Sequence, residues 1–223
     1  FAHLANPGNA MGVFAGIGSS PLSNEILVAC LFTLVALVSW IWAMTGKMGT
    51  GARKGMSALT AVLAIVFAIF TGLAYSIETI ASWSTPAVPL AILGFSLLGG
   101  TALGCMVLGS SFADAAKTPF RPAAIALVAI GLVLALLGVF MQFGLASGLT
   151  TYIADGAQMA SSVTGYMIGG VALLIAGAIL AASAVMKKPT VALAGGATVA
   201  ILVGVFLARL VFYSLQISVG LAL

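Results

Sequence analysis

The chain alternates between long apolar stretches and short polar ones. Six stretches are long enough to cross a bilayer, at about 26–46, 56–76, 87–109, 122–144, 163–186 and 190–215. A spanning helix needs about 20 residues at roughly 1.5 Å of rise each. Within each stretch the apolar residues are continuous, whereas a membrane β-barrel would place a polar residue at every second position. The pattern therefore predicts helices, whose backbone groups are all satisfied internally in lipid. The expected fold class is all-α, a polytopic membrane helical bundle with six complete transmembrane helices forming one membrane domain over 26–223.

Residues 1–25 read differently. His3-Leu4-Ala5-Asn6-Pro7-Gly8-Asn9 and Gly16-Ile17-Gly18-Ser19-Ser20-Pro21 predict the end of a preceding helix followed by a loop. No basic stretch with a cleavage site precedes the apolar segments, so no signal peptide is expected. Small-xxx-small spacings at Gly100/Gly104, Gly144/Gly148 and Gly165/Gly169 predict close helix packing at those positions.

Composition sharpens this picture. Only 5% of the 223 residues are charged, 8 Lys or Arg and 4 Asp or Glu, against about 25% in soluble domains. That excludes an ordinary soluble enzyme, a disordered chain and a small disulfide scaffold. The placement of the charges matters more than their number. Lys47, Arg53 and Lys54 fall between the first and second spans, Lys117 and Arg121 between the third and fourth, and Lys187 and Lys188 between the fifth and sixth. The segments 1–25, 77–86 and 145–162 carry no Lys or Arg. The positive-inside rule makes the basic side cytoplasmic and puts both ends of the chain outside. The basic residues are topology signals rather than a continuous patch interleaved with aromatics, so nucleic acid is not an expected partner; the lipid bilayer is.

The chemistry-bearing residues are few. Cys30 and Cys105 sit in apolar runs and read as small apolar side chains. No Cys or His spacing resembles a metal site. His3 is the one histidine, Glu25 stands at the mouth of the first complete span, Glu78 follows the second, and Arg209 lies in the last. Arg209 is 19 residues beyond Thr190, or about 29 Å across the membrane, which places it near the outer interface.

Each has a plain reading beside the functional one. Glu25 can serve the dipole of a first helical turn, Arg209 can snorkel to headgroups with Phe212 and Tyr213 as belt aromatics, and His3 can be a surface residue. Glu78 and Asp155 read as solvated loop carboxylates, and Trp40, Trp42 and Trp83 as interfacial anchors. Together, a base-capable His, a carboxylate and a cation on one membrane face suit a molecule with a polar head and a lipid tail. A quinol fits: its two protons need acceptors as it is oxidised, and Arg can hold an oxygen. One His and two separated Cys cannot build a bis-histidine haem or a four-Cys cluster in this chain, so the electrons would go to a partner.

At these residues the sequence resembles the membrane-anchor subunit of dimethyl sulfoxide reductase-type complexes. The resemblance rests on His3-Leu4-x-x-Pro7 followed by Leu22-Ser23-Asn24-Glu25, on Tyr75-Ser76-Ile77-Glu78-Thr79 with Trp83 and Thr85-Pro86, on Phe140-Met141-Gln142, and on Ala208-Arg209-x-Val211-Phe212-Tyr213. These matches run in order along nearly the whole chain. Two polar positions of the family are apolar here, at Val205-Phe206-Leu207 and at Gly165-Tyr166-Met167-Ile168. The resemblance implies an eight-span fold of which this chain is the last six, with the first one to two helices absent. It implies a bacterial cytoplasmic membrane, an iron–sulfur electron-transfer subunit and a molybdopterin catalytic subunit as partners, and menaquinol or a related quinol as substrate. It gives His3 and Glu25 to quinol binding and proton transfer, and Arg209 to a supporting role. Two other functions stay open on the residues alone: a transporter or permease without redox chemistry, and a passive structural anchor.

Overall fold

The computed structural model describes residues 7–108, 120–186 and 190–218. A 3-10 helix, Pro7–Gly16, precedes six long helices: α1 Pro21–Met44, α2 Thr50–Ala74, α3 Ala87–Leu108, α4 Phe120–Ser147, α5 Gly156–Met186 and α6 Val191–Ser214. All six are long and apolar enough to cross a membrane. Each corresponds to one of the expected spans, and the all-helical class holds. His3, Lys117, Lys187 and Lys188 lie outside the described residues.

The helix starts are where the expected bounds shift most. α1 begins at Pro21, five residues before the expected 26. Ser20 caps it, its side chain accepting from the Ser23 amide, and Pro21 occupies the first turn, where its missing N–H costs nothing. α5 begins at Gly156, seven residues before the expected 163. The Asp155 carboxylate accepts from the amides of Ala157 at 2.9 Å and Gln158 at 3.3 Å. Asp155 is therefore a helix cap as well as a solvated carboxylate. Arg53 and Lys54, read as loop residues, lie in the first turns of α2.

The chain forms two compact units, Phe1–Ala74 and Tyr75–Leu223. In the first, α1 and α2 pack on each other, and Phe32 stacks on Phe67 with ring centres 5.9 Å apart. Gly46, at φ 68°, ends α1 in the left-handed conformation that glycine adopts without strain.

In the second unit α3 pairs with α4 and α5 with α6, and α4–α5 and α3–α6 contacts join the pairs. Leu98, Val128, Leu174 and Ile201, one from each helix, meet in the middle. Cys105 packs with Ala124, Val185 and Ala194 at one end, and Ile80, Trp83, Val88 and Phe212 form a cluster at the other.

Lipid offers no hydrophobic drive between helices, so close backbone approach at small residues holds such a bundle. The glycines that provide it are not those singled out by spacing. Gly100, Gly104, Gly144 and Gly165 have nothing within 4 Å of an added Cβ, and Gly148 and Gly169 only ordinary contacts. A Cβ on Gly94 would strike the Ala135 backbone, and one on Gly138 would lie 2.6 Å from the Ala87 carbonyl. On the other pair, Gly204 faces Leu174 at 3.0 Å and Gly177 faces the Ile201 side chain at 2.5 Å. The outer faces remain apolar: Leu34, Val62, Val107, Val133, Ile179 and Leu202, one from each helix, are each more than half exposed. Apolar surface of that extent on every helix is a lipid-facing surface.

Candidate functional site

Arg209 sits five residues before the end of α6. At helical spacing, Phe212 and Tyr213 lie one turn beyond it and share its face. The connection before α3 brings a third ring. Tyr75 and Trp83 fold against the end of α6 because the 75–86 segment is tied there by three polar links. Trp83 Nε1 donates to the Phe212 carbonyl at 3.1 Å. The Ser82 hydroxyl, fully buried, accepts from the Ile217 amide at 3.0 Å. Ile80 and Ser218 form an isolated antiparallel bridge.

The result is a cage of rings around the guanidinium. The Arg209 Cζ lies 4.4 Å from the centre of the Tyr75 ring, 4.1 Å from Phe212 and 4.7 Å from Tyr213. Cation–π attraction at such distances is worth about 0.5–2 kcal/mol per ring, more when desolvated. Nη2 donates to the Tyr213 hydroxyl at 2.8 Å, and the Tyr213 and Tyr75 hydroxyls are themselves 2.8 Å apart. The Tyr213 hydrogen bond, helped by burial, raises the Tyr75 hydroxyl above its usual value of 10.0, against the opposing pull of Arg209. Trp83 stacks on Phe212 with centres 4.6 Å apart. Trp83 and Phe212 are both buried, so neither is the interfacial anchor or belt aromatic expected from sequence. Tyr213 remains half-exposed and Trp40 and Trp42 are exposed, as membrane-facing aromatics are.

A groove of about 450 Å³ opens beside the cage, lined by Phe206, Arg209, Leu210, Tyr213 and Ser214. A larger groove of about 560 Å³ lies by Asp155, Gln158 and Gln216. Its carboxylate is already engaged in capping α5, which makes it the weaker candidate.

Glu25 belongs to the first unit and is half-buried in the second turn of α1. With the helix starting at Pro21, no acidic residue occupies its first turn, so service to the helix dipole is not its role. Its neighbours have structural work. Ser23 is buried under Gly16, and the Asn24 side chain accepts from the Gly18 amide at 2.7 Å, where Gly18 turns at φ 90°. Glu25 itself makes no hydrogen bond or ion pair to another described residue. Glu78 is exposed. The structure thus brings Arg209 together with Tyr75, Phe212 and Tyr213, and places Glu25 on α1 directly after Ser23 and Asn24, which hold the Gly16–Ser20 turn. Sequence reading missed Ser82, whose buried hydroxyl carries no distinguishing pattern, and had Gln142 only as part of a motif. Among the described residues no group of three or more His, Cys, Asp or Glu side chains could hold a metal ion.

Six apolar helices with lipid-exposed faces and a caged arginine near one helix end define a multi-pass membrane protein with a polar site at one end of its bundle. Residues 1–215 match the family described as DMSO reductase anchor subunit (DmsC), and the chain belongs to that family. It is similar to the C subunit of the anaerobic dimethyl sulfoxide reductase of Escherichia coli strain K12, 29% identical over 228 residues, covering 99% of this chain and 77% of the relative. It is similar, with the same coverage, to the anaerobic dimethyl sulfoxide reductase subunit YnfH of E. coli, at 27% identity over 224 residues. The C subunit of the Haemophilus influenzae enzyme matches at 26% identity over 222 residues. No solved structure matches the chain significantly.

Proposed function

We propose that the chain oxidises a quinol, menaquinol or a close relative, near the outer face of the bacterial cytoplasmic membrane and delivers its electrons to a partner iron–sulfur subunit. A molybdopterin subunit in the same complex would then reduce the terminal acceptor. The observation that carries this reading is the guanidinium of Arg209, held by three rings beside an apolar-walled groove. Such a site offers hydrogen-bond donors to a quinone oxygen and apolar walls to its ring and tail. Membership of an anchor-subunit family supports it.

Oxidation of the quinol breaks two O–H bonds and releases two electrons and two protons. His3 accepts a hydrogen bond and a proton, Glu25 accepts a proton or passes it outward, and Arg209 steadies the oxygen that loses it. Glu25 suits this role because no described partner occupies its carboxylate. The orientation follows from the basic residues: the connections at 77–86 and 145–162 have none, so the end of the bundle holding Arg209 faces outward.

The test uses the full complex in its membrane. Glu25→Gln keeps assembly and lowers menaquinol-dependent reduction by tenfold or more, while electron donation by a soluble dye directly to the partner subunits is unchanged. Equal menaquinol turnover in the variant would remove Glu25 from the mechanism. Equal affinity of a fluorescent quinol-site inhibitor in His3→Ala would remove His3. Solute flux through the protein alone in vesicles would favour a transporter instead.

A further inference from the structure

Gln142 lies on α4, five residues before its end, inside an otherwise apolar run. It is 7% exposed, and its Nε2 is buried with no hydrogen-bond partner among the described residues. Buried amides are nearly always bonded, to protein or to ordered water. This one borders a small cavity. Val88 and Phe95 of α3, Val139 and Gln142 of α4, and Arg209 and Phe212 of α6 line it. The other lining side chains are hydrocarbon, so the lining residues with polar side-chain atoms are a glutamine and an arginine.

Both groups bring N–H donors. A guanidinium has five, and one donates to Tyr213. The unpartnered atom of the glutamine is its Nε2 donor, which lacks an acceptor on its buried side. The cavity volume decides its size. It is about 10 Å³, close to the roughly 10–15 Å³ that a single water needs, and a quinol ring does not fit. A water oxygen has two lone pairs, one for each donor. We propose that this cavity is a hydration site in which one water accepts from Gln142 Nε2 and from the Arg209 guanidinium. Gln142 is then a positioning residue: through the water it holds the arginine from the bundle interior, while Tyr213 and the rings hold the rest of the head. The inference stands whether or not a quinol is the ligand of the neighbouring groove.

The sequence makes the test selective, since it holds three glutamines, Gln142, Gln158 and Gln216, and three arginines, Arg53, Arg121 and Arg209. The chain is labelled with nitrogen-15 at glutamine side-chain amides and arginine side chains and studied by NMR in lipid nanodiscs. Gln142→Leu and Arg209→Lys assign the two signals. The Gln142 amide protons should show a persistent cross-peak to water. The Arg209 Nε–H signal should move in Gln142→Leu and stay in place in Gln158→Leu, which changes a glutamine outside the cavity. Thermal unfolding supplies the opposite-sign check. Removing a dry, unpartnered amide raises the midpoint, whereas removing a hydrated one leaves it unchanged or lowers it. No water cross-peak in the wild type, an unmoved Arg209 signal in Gln142→Leu, or a raised midpoint would each overturn the proposal. The wild-type cross-peak needs no variant to fold.

Discussion

The Nη2 of Arg209 donates to the hydroxyl of Tyr213 at 2.8 Å, one turn further along the same helix. An arginine directed toward the C-terminal end of its own helix and clasped by a tyrosine is fixed in a way that snorkelling alone does not require. Its rings and its hydrogen bond depend on a flat, forked cation.

Arg209→Lys tests that geometry. Lysine keeps the charge but loses the planar stacking and the fork. Affinity for a quinol-site inhibitor should fall by about 2 kcal/mol, or roughly 30-fold, with the protein still inserted and folded by circular dichroism in detergent. Wild-type affinity in this variant would reduce Arg209 to a generic interfacial charge.

Tyr75→Phe separates the ring from the hydroxyl. The ring contacts to Arg209, Phe212 and Tyr213 are kept and the link to the Tyr213 hydroxyl is lost. The expected cost is about 1 kcal/mol in stability. Thermal unfolding in detergent measures it, and an unchanged midpoint would mean that the paired hydroxyls add nothing beyond the ring contacts.

Gly94→Ala and Gly104→Ala should diverge although both lie on α3. An added methyl at Gly94 meets the Ala135 backbone, whereas Gly104 has open space around it. The first should cost about 1–3 kcal/mol; the second should be neutral or slightly stabilising. Unfolding in detergent measures both, and equal midpoints would mean that the α3–α4 seam is looser than described.

Asn24→Ala should free the turn before α1. Its side chain is the acceptor for the Gly18 amide, a bond worth about 1 kcal/mol. Hydrogen exchange at Gly18 should accelerate about fivefold by the same estimate, while Glu25→Gln leaves it unchanged. Acceleration in both would tie Glu25 to the turn rather than to chemistry.

The spans were legible because each is a long unbroken apolar run, and length alone separates a membrane helix from a buried strand. Their starts were not. Ser20 and Asp155 read as loop residues until their caps are seen, which moves α1 and α5 several residues earlier. Glycine spacing chose Gly100/Gly104 over Gly94 because a repeat of four marks a helix face without saying which face meets a neighbour. Arg209 stood out as a lone charge in an apolar run, but its cage did not. Tyr75 and Trp83 are far from it in sequence and arrive only because Ser82 and Trp83 tie the 75–86 segment to the end of α6. Gln142 is the converse case: one amide in a run of hydrocarbon, unremarkable in sequence until the cavity beside it is seen.

The stacking of Trp83 on Phe212 turns the site into its own optical probe. The indole shares that ring with the Arg209 guanidinium, so a change in the arginine's surroundings reaches a native fluorophore through one intervening side chain. The other two tryptophans, Trp40 and Trp42, both lie on α1. With those two changed to Phe, the remaining tryptophan emission of these 223 residues comes from Trp83, and a titration can follow occupancy of the Arg209 groove without an attached dye.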